Sequence, residues 1–222
     1  MATMRIERTG SGWRLWLQWV LASMLGFGVG AAMAGFFANS ISITSTNCTQ
    51  SSWDTFIDRL TNYPCNQQTL VLLSMVIILG LAGGFMQWLI LRRWIPGTGW
   101  WVPASALNFP AAPAVANGVL ILGGGLSSAA PILLGILIAI LSGILPWLVL
   151  RRRLTRAGWW IPAHWLGSLV SVYLGVVGFH AVGLIGLYQL SWAAAGAMFG
   201  VGLGAITGVT LVWLLRQPIP GK

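Results

Sequence analysis

The amino-acid sequence predicts an all-α integral membrane protein whose six transmembrane helices form three tandem helical hairpins. Composition predicts the class: 57% of the 222 residues are hydrophobic and 7% are charged, whereas a soluble domain carries about 25% charged residues. Repetition predicts the hairpins, because three apolar runs each end with a tryptophan that arginine follows about one helical turn later. This is the chemistry of a membrane helix that reaches the cytoplasmic interface. We expect the whole chain, 1–222, to form a single membrane domain.

Six apolar stretches are long enough to supply the roughly 20 residues with which a helix crosses the hydrocarbon core. The predicted spans are about 15–37, 69–91, 101–122, 131–150, 159–181 and 192–215. Taken in order, they give hairpins over about 15–91, 101–150 and 159–215. Because all three hairpins run in the same direction, they are parallel repeats, related by an axis along the membrane normal if they pack symmetrically.

The positions of the basic residues predict the orientation of these helices. The chain has 12 lysines and arginines, and all of them except Arg59 lie on one predicted side: before the first span, after the sixth, or in the second-to-third and fourth-to-fifth connections. Lys and Arg resist translocation, so both termini are predicted to be cytoplasmic. The net charge of +9 reflects the presence of only three acids rather than a basic face. No nucleic-acid partner is therefore expected.

Two short motifs recur along the chain and support the repeat. One ends a helix and reads QWLILRR at 87–93, PWLVLRR at 146–152 and VWLLR at 212–216. The other begins a helix and reads WVLAS at 19–23, WVPAS at 101–105 and WIPAH at 160–164. A separation of 59 positions relates Trp88 to Trp147 and Trp101 to Trp160, which favours duplication. The alternative is that Trp and Arg occur at membrane interfaces in any case. The predicted interface anchors are Trp88, Trp101, Trp147, Trp160 and Trp213.

An insertion at about 38–68 distinguishes the first hairpin and is predicted to lie on the extracytoplasmic side. It contains both cysteines of the chain, Cys48 and Cys65. Because disulfides persist in oxidising compartments, a Cys48–Cys65 disulfide is predicted there.

Small residues at four-residue spacing predict faces on which helices pack closely. They are Gly196, Gly200, Gly204 and Gly208 on the sixth span, and Gly26 and Gly30 on the first. Such faces let helix backbones approach each other in lipid. We therefore predict that they serve helix packing or the docking of a partner subunit. The alternative is that they accept the flat face of a pigment, sterol or lipid chain.

No recognised catalytic or metal-binding motif occurs, so neither enzyme activity nor a metal site is predicted. The chain has no His-Glu-x-x-His, phosphate-loop or Ser-His-Asp pattern, and its two histidines and two cysteines lack metal-ligand spacing. His180, near the outer end of the fifth span, is able to ligate haem iron or chlorophyll magnesium through one imidazole nitrogen. The alternative is an interfacial histidine that is hydrogen-bonded to backbone or water.

Neutral polar residues and prolines mark the third span. Asn108 and Asn117 lie there together with Pro110 and Pro113, and the prolines kink or break a helix because they remove backbone donors. A broken helix can form a substrate site, or it can be patched by its neighbours without any such role. No acid or base lies near the centre of a predicted span, which argues against an ion-coupled transporter.

Four longer phrases resemble a group of multi-pass membrane proteins of cyanobacteria and green filamentous phototrophs. They are QWLILRRW (87–94), GWWV (99–102), GWWI (158–161) and AITGVTLVWLLRQP (205–218). The resemblance covers most of the chain outside 38–68. It implies a bacterial, phototrophic host and a plasma or thylakoid membrane, and it carries over no activity and no functional residues.

The leading functional hypothesis is a non-enzymatic six-helix membrane subunit, an accessory or structural component of a photosynthetic or respiratory complex. Its expected partners are membrane lipids and other membrane subunits. One alternative is a small transporter or channel whose path follows the kinked third helix. A second alternative is a pigment- or haem-binding membrane protein that uses His180 as a ligand. Its candidate cofactors are chlorophyll or carotenoid, or haem.

Overall fold

The computed structural model describes residues 11–40, 65–108 and 141–217, and all regular secondary structure in these ranges is helical. A short 3-10 turn, Ala157–Trp159, precedes the fifth helix. The helices, numbered along the chain, are α1 (Ser11–Ser40), α2 (Cys65–Trp94), α3 (described over 101–108), α4 (Ile144–Leu150), α5 (Trp160–Gly183) and α6 (Tyr188–Leu215).

Four of the described helices are long and apolar enough to cross a membrane, as the predicted class requires. Their apolar segments are Gly12–Phe37, Leu73–Trp94, Ala157–Gly183 and Leu190–Leu215. These segments match the first, second, fifth and sixth predicted spans to within a few residues. Helix α3 begins where the third predicted span begins, and α4 ends where the fourth ends. The residues between them, 109–140, lie outside the described ranges, so the count of six spans stays a prediction.

Helix α1 lies between α2 and α6, and α6 packs in turn against α5. Glycines on α1 make the contact with α2 close. A Cβ atom at Gly26 would lie 2.8 Å from the Cα atom of Gly83, and one at Gly30 would lie 3.1 Å from the Cα atom of Leu79. Because larger side chains would hold the two backbones apart, glycine at these positions permits the observed helix spacing.

The α2–α3 and α4–α5 connections share one backbone geometry. Gly97 and Arg156 are separated by the same 59 positions as the repeated motifs, and both have a positive φ, +76° and +58° respectively. In each connection the backbone N–H of the next motif tryptophan, Trp101 or Trp160, donates to the carbonyl oxygen three residues earlier. The backbone therefore enters α3 and α5 in the same way.

Most of the predicted insertion lies outside the described residues. Helix α1 continues to Ser40 and α2 begins at Cys65, so each helix extends slightly into the range 38–68. Cys48 is outside the described ranges and only the backbone of Cys65 is described. The described side chains include no disulfide, and the Cys48–Cys65 bond stays a prediction.

Candidate functional site

Three buried tryptophans meet inside the described bundle. Trp19 of α1, Trp101 of α3 and Trp160 of α5 are each exposed by 1% or less. Their rings contact one another edge to face, with centroid separations of 5.8 Å (Trp19 to Trp101), 6.2 Å (Trp19 to Trp160) and 5.5 Å (Trp101 to Trp160). Such pairs are favourable because the positive ring edge meets the negative ring face. Each of the three is the first residue of a WVLAS, WVPAS or WIPAH motif.

Leucines from the second helix of each predicted hairpin complete this cluster. Leu91 of α2, Leu150 of α4, and Leu211 and Leu214 of α6 are exposed by 1% or less and belong to the same hydrophobic cluster as the tryptophans. Leu91 and Leu150 are again 59 positions apart. All three predicted hairpins therefore contribute to one apolar core.

The indole nitrogens of the three tryptophans differ in their hydrogen bonds. Trp101 Nε1 donates to Gln87 Oε1 on α2 at 3.2 Å, and Trp19 Nε1 donates to Thr207 Oγ1 on α6 at 3.0 Å. Trp160 Nε1 is buried and has no partner among the described residues. The position 59 residues after Gln87 is Pro146, whose side chain has no hydrogen-bond acceptor. The position equivalent to Gln87 therefore supplies no amide to Trp160.

A buried polar residue follows each tryptophan one helical turn later: Ser23, Ser105 and His164. Gln87 connects the starts of two predicted hairpins, because its Nε2 donates to Ser23 Oγ at 3.0 Å while its Oε1 accepts from Trp101. Gln87 is itself 6% exposed. A single side-chain amide thus joins α1, α2 and α3 in the interior.

A small cavity of about 20 Å³ lies among these polar groups. Its lining includes Asn108, Trp160 and His164, and each has a buried polar atom without a partner among the described residues: Asn108 Oδ1, Trp160 Nε1 and His164 Nδ1. A water molecule needs about 10–15 Å³ of such space and two to four polar partners. The cavity therefore has room for about one water. The described residues that line it include no carboxylate and no thiol.

The glycine strip of α6 lies against α1 of the same chain. All four of its members, Gly196, Gly200, Gly204 and Gly208, have atoms of α1 as their nearest neighbours. A Cβ atom at Gly196 would overlap the carbonyl oxygen of Phe27, and one at Gly200 would overlap that of Ser23. Because α1 fills this surface, the strip is not open to a partner subunit or a flat ligand.

Trp88 and Trp147, two of the predicted interface anchors, are partly exposed. A guanidinium one turn later, that of Arg92 or Arg151, lies 5.0 Å from the ring centroid in both cases, which is a cation–π geometry. Trp213 is 37% exposed. These three side chains are accessible from outside the protein, as an interface anchor requires.

The interface prediction for Trp101 and Trp160 needs correction, because both lie in the core. Their sequence neighbours Trp100 and Trp159 are 71% and 61% exposed. The side chains of consecutive residues point in different directions, so only one ring of each Trp-Trp pair faces the bundle. In both pairs the second ring packs inside and the first lies on the surface.

His180 lies on an exposed part of α5, three residues before its end. Its ring contacts that of Phe179 edge to face, with centroids 5.8 Å apart. A ligand can therefore reach the imidazole from outside the bundle. Among the described residues, no group of three or more His, Cys, Asp or Glu side chains is placed to hold a metal ion.

Only some residues of the polar interior were predictable from the sequence. Asn108 of the predicted third span lines the cavity, whereas Asn117, Pro110 and Pro113 lie outside the described residues. Gln87 and Thr207 were not predicted as site residues. The signal for Gln87 was its place directly before the motif tryptophan Trp88.

No protein-family model, curated protein sequence or solved structure matches this chain. The resemblance to membrane proteins of phototrophs remains an expectation from the sequence.

Proposed function

We propose that this chain is a non-enzymatic membrane subunit, an accessory component of a larger photosynthetic or respiratory membrane complex. The observation that carries the proposal is the close packing of the interior formed by the described residues. Trp19, Trp101 and Trp160 interlock edge to face, and the cavity beside them has room for about one water. Catalysis or solute binding would use a substrate-sized pocket with convergent reactive or polar groups. A closed aromatic core instead supports a rigid structural role.

The three hairpins are, in this proposal, duplicated units that pack around a common axis. Three observations support it. The starts of all three hairpins meet at the tryptophan cluster, and the ends of all three contribute leucines to it. The connections that lead into the second and third hairpins share a positive φ at Gly97 and Arg156.

The proposal places both termini and the basic end of the bundle in the cytoplasm. Arg216, after α6, lies against Gly12 at the start of α1, and Arg153 lies against Gly97 of the neighbouring connection. This clustering of arginines at one end supports the orientation that the positive-inside rule predicts. A reporter enzyme that functions only in the cytoplasm should therefore be active when it is fused after Lys222. An outward C-terminus together with a cytoplasmic N-terminus would require an odd number of spans and would refute the three-hairpin arrangement.

Purification from the native membrane in a mild detergent tests the subunit role. The chain is expected to migrate on a native gel with a photosynthetic or respiratory complex, recognised by the absorption bands or the activity of that complex. Deletion of its gene should lower the amount of the assembled complex. Migration as an isolated protein, together with unchanged levels of every such complex after deletion, would contradict the proposal.

A second candidate function, binding of chlorophyll or haem at His180, is favoured by the exposure of that imidazole. The absorption spectrum of the same preparation tests it. Bands that belong to the purified chain and disappear in His180→Leu would support a ligand there, and a preparation without such bands would exclude it. The transporter alternative places its path along the third helix, and most of that predicted span, from 109 onward, lies outside the described residues.

A further inference from the structure

An apolar groove runs along the exposed side of α6, beside the start of α5. Its volume is about 760 Å³, within the range of sites that bind organic ligands. Aromatic and aliphatic side chains from three helices and the 3-10 turn line it, including Trp16, Trp159, Leu166, Ile206, Val209 and Trp213. The rings of Trp159 and Trp213 contact edge to face at a centroid distance of 6.4 Å, so they form one aromatic wall.

The groove adjoins a second open space that ends at a guanidinium group. This space has a volume of about 520 Å³ and is lined by Arg156, Gly158, Trp159 and Pro162. Trp159 and Pro162 line both spaces. Arg156 is exposed, and all three acidic residues of the chain lie outside the described ranges. Within those ranges, no carboxylate is available to Arg156.

Arg156 occupies a backbone conformation that its residue type disfavours. Its φ of +58° is the only positive φ of a non-glycine residue among those described. The corresponding position of the α2–α3 connection is Gly97, which adopts φ +76° without the steric cost of a Cβ atom. An arginine held where a glycine suffices points to a use for its side chain, as strained positions commonly do.

We propose that this surface binds one anionic phospholipid, with an acyl chain in the apolar groove and the phosphate on Arg156. A guanidinium binds phosphate oxygens through paired N–H donors. Trp159 lies between the two spaces, as an indole at the level of the lipid headgroups does. The groove alone would accept many apolar molecules. The guanidinium of Arg156 in the adjoining space selects a negatively charged headgroup. This site is independent of the proposed subunit role, because any membrane-embedded form of the chain would present it.

Lipid binding by the full-length protein in detergent micelles tests the proposal. Phosphatidylglycerol and phosphatidylcholine with identical acyl chains are the two probes, and native mass spectrometry measures the affinity of each. One arginine near a membrane surface contributes enough to change affinity roughly fivefold. We therefore expect the wild-type protein to bind phosphatidylglycerol about fivefold more tightly than phosphatidylcholine.

Arg156→Gly is the decisive variant, because it introduces the residue found at position 97. It should remove the preference for phosphatidylglycerol while the thermal stability without lipid stays the same or rises. Arg156→Gln should remove the same preference while retaining the Cβ atom. Arg152→Gln is the matched control, since Arg152 is exposed in the same connection but lines neither space, and it should keep the preference. Val209→Trp should fill the groove and weaken both lipids.

Each contrary result overturns a stated part of the proposal. Equal affinity of the wild-type protein for the two lipids would leave only an apolar occupant, such as a pigment, a sterol or a neutral lipid. A preference that survives both Arg156 variants would place the headgroup elsewhere. Unchanged binding in Val209→Trp would remove the groove from the site.

Discussion

Replacement of Trp101 by alanine is expected to lower the free energy of unfolding by about 3–5 kcal/mol, the usual cost of deleting a buried tryptophan. Trp101 is 1% exposed, contacts both Trp19 and Trp160, and donates to Gln87. The variant would therefore lose two ring contacts and leave Gln87 Oε1 buried without its donor. Thermal unfolding in detergent, followed by circular dichroism, measures the effect.

The adjacent residue provides a matched control for this prediction. Trp100 carries the same side chain, one position away, and is 71% exposed. Trp100→Ala should change the stability by no more than about 0.5 kcal/mol, as is usual for surface positions. Equal losses from the two substitutions would show that Trp101 does not form part of a packed core.

Replacement of Gly200 by alanine is the second large effect that we expect. On an exposed helix this change is stabilising, because alanine has the higher helix propensity. Here the new Cβ atom would overlap the backbone carbonyl oxygen of Ser23, so α1 and α6 would have to separate. Overpacking of this kind costs typically 1–3 kcal/mol. Because the obstructing atom belongs to the backbone, we expect a loss of about 3 kcal/mol, at the upper end of that range.

Gly183→Ala is the control for the glycine strip. Gly183 ends α5, and the nearest atom to its Cβ position is Ser191 Oγ at 3.5 Å, an ordinary van der Waals contact. The melting temperature of Gly183→Ala should equal or exceed that of the wild-type protein, whereas that of Gly200→Ala should fall. A Gly200→Ala protein as stable as the wild type would mean that α1 does not pack on this strip.

Helix positions were predictable from the sequence because length and apolarity are sufficient to indicate a membrane helix. Helices α1, α2, α5 and α6 accordingly lie where apolar stretches were found. The inward face of each helix was not predictable in the same way. In lipid, core-facing and lipid-facing positions are both apolar, so Trp100 and Trp101 look alike in the sequence. Only contacts with other helices decide that Trp101 is the buried residue.

The polar interior was less predictable because its members lie at different distances from the motifs. Gln87 directly precedes Trp88, whereas Thr207 lies six residues before Trp213. Both nevertheless accept a hydrogen bond from a motif tryptophan. Each also lies four residues before a buried leucine, Leu91 or Leu211. When the motifs are aligned on Trp88 and Trp213, Gln87 and Thr207 fall at different positions. When they are aligned on Leu91 and Leu211, the two residues coincide.

The hydrogen bond between Trp19 and Thr207 has a consequence for synthesis of the chain in the cell, since it joins residues 188 positions apart. At about 5–20 residues per second, a ribosome needs roughly 10–40 s to cover that distance. During this interval α1 can pair with α2 through Gln87 and Ser23, but the face of α1 that packs on α6 still lacks that partner. The nascent protein is therefore an open bundle until α6 has been synthesised. Membrane proteases and insertion chaperones meet that open form before α6 closes it.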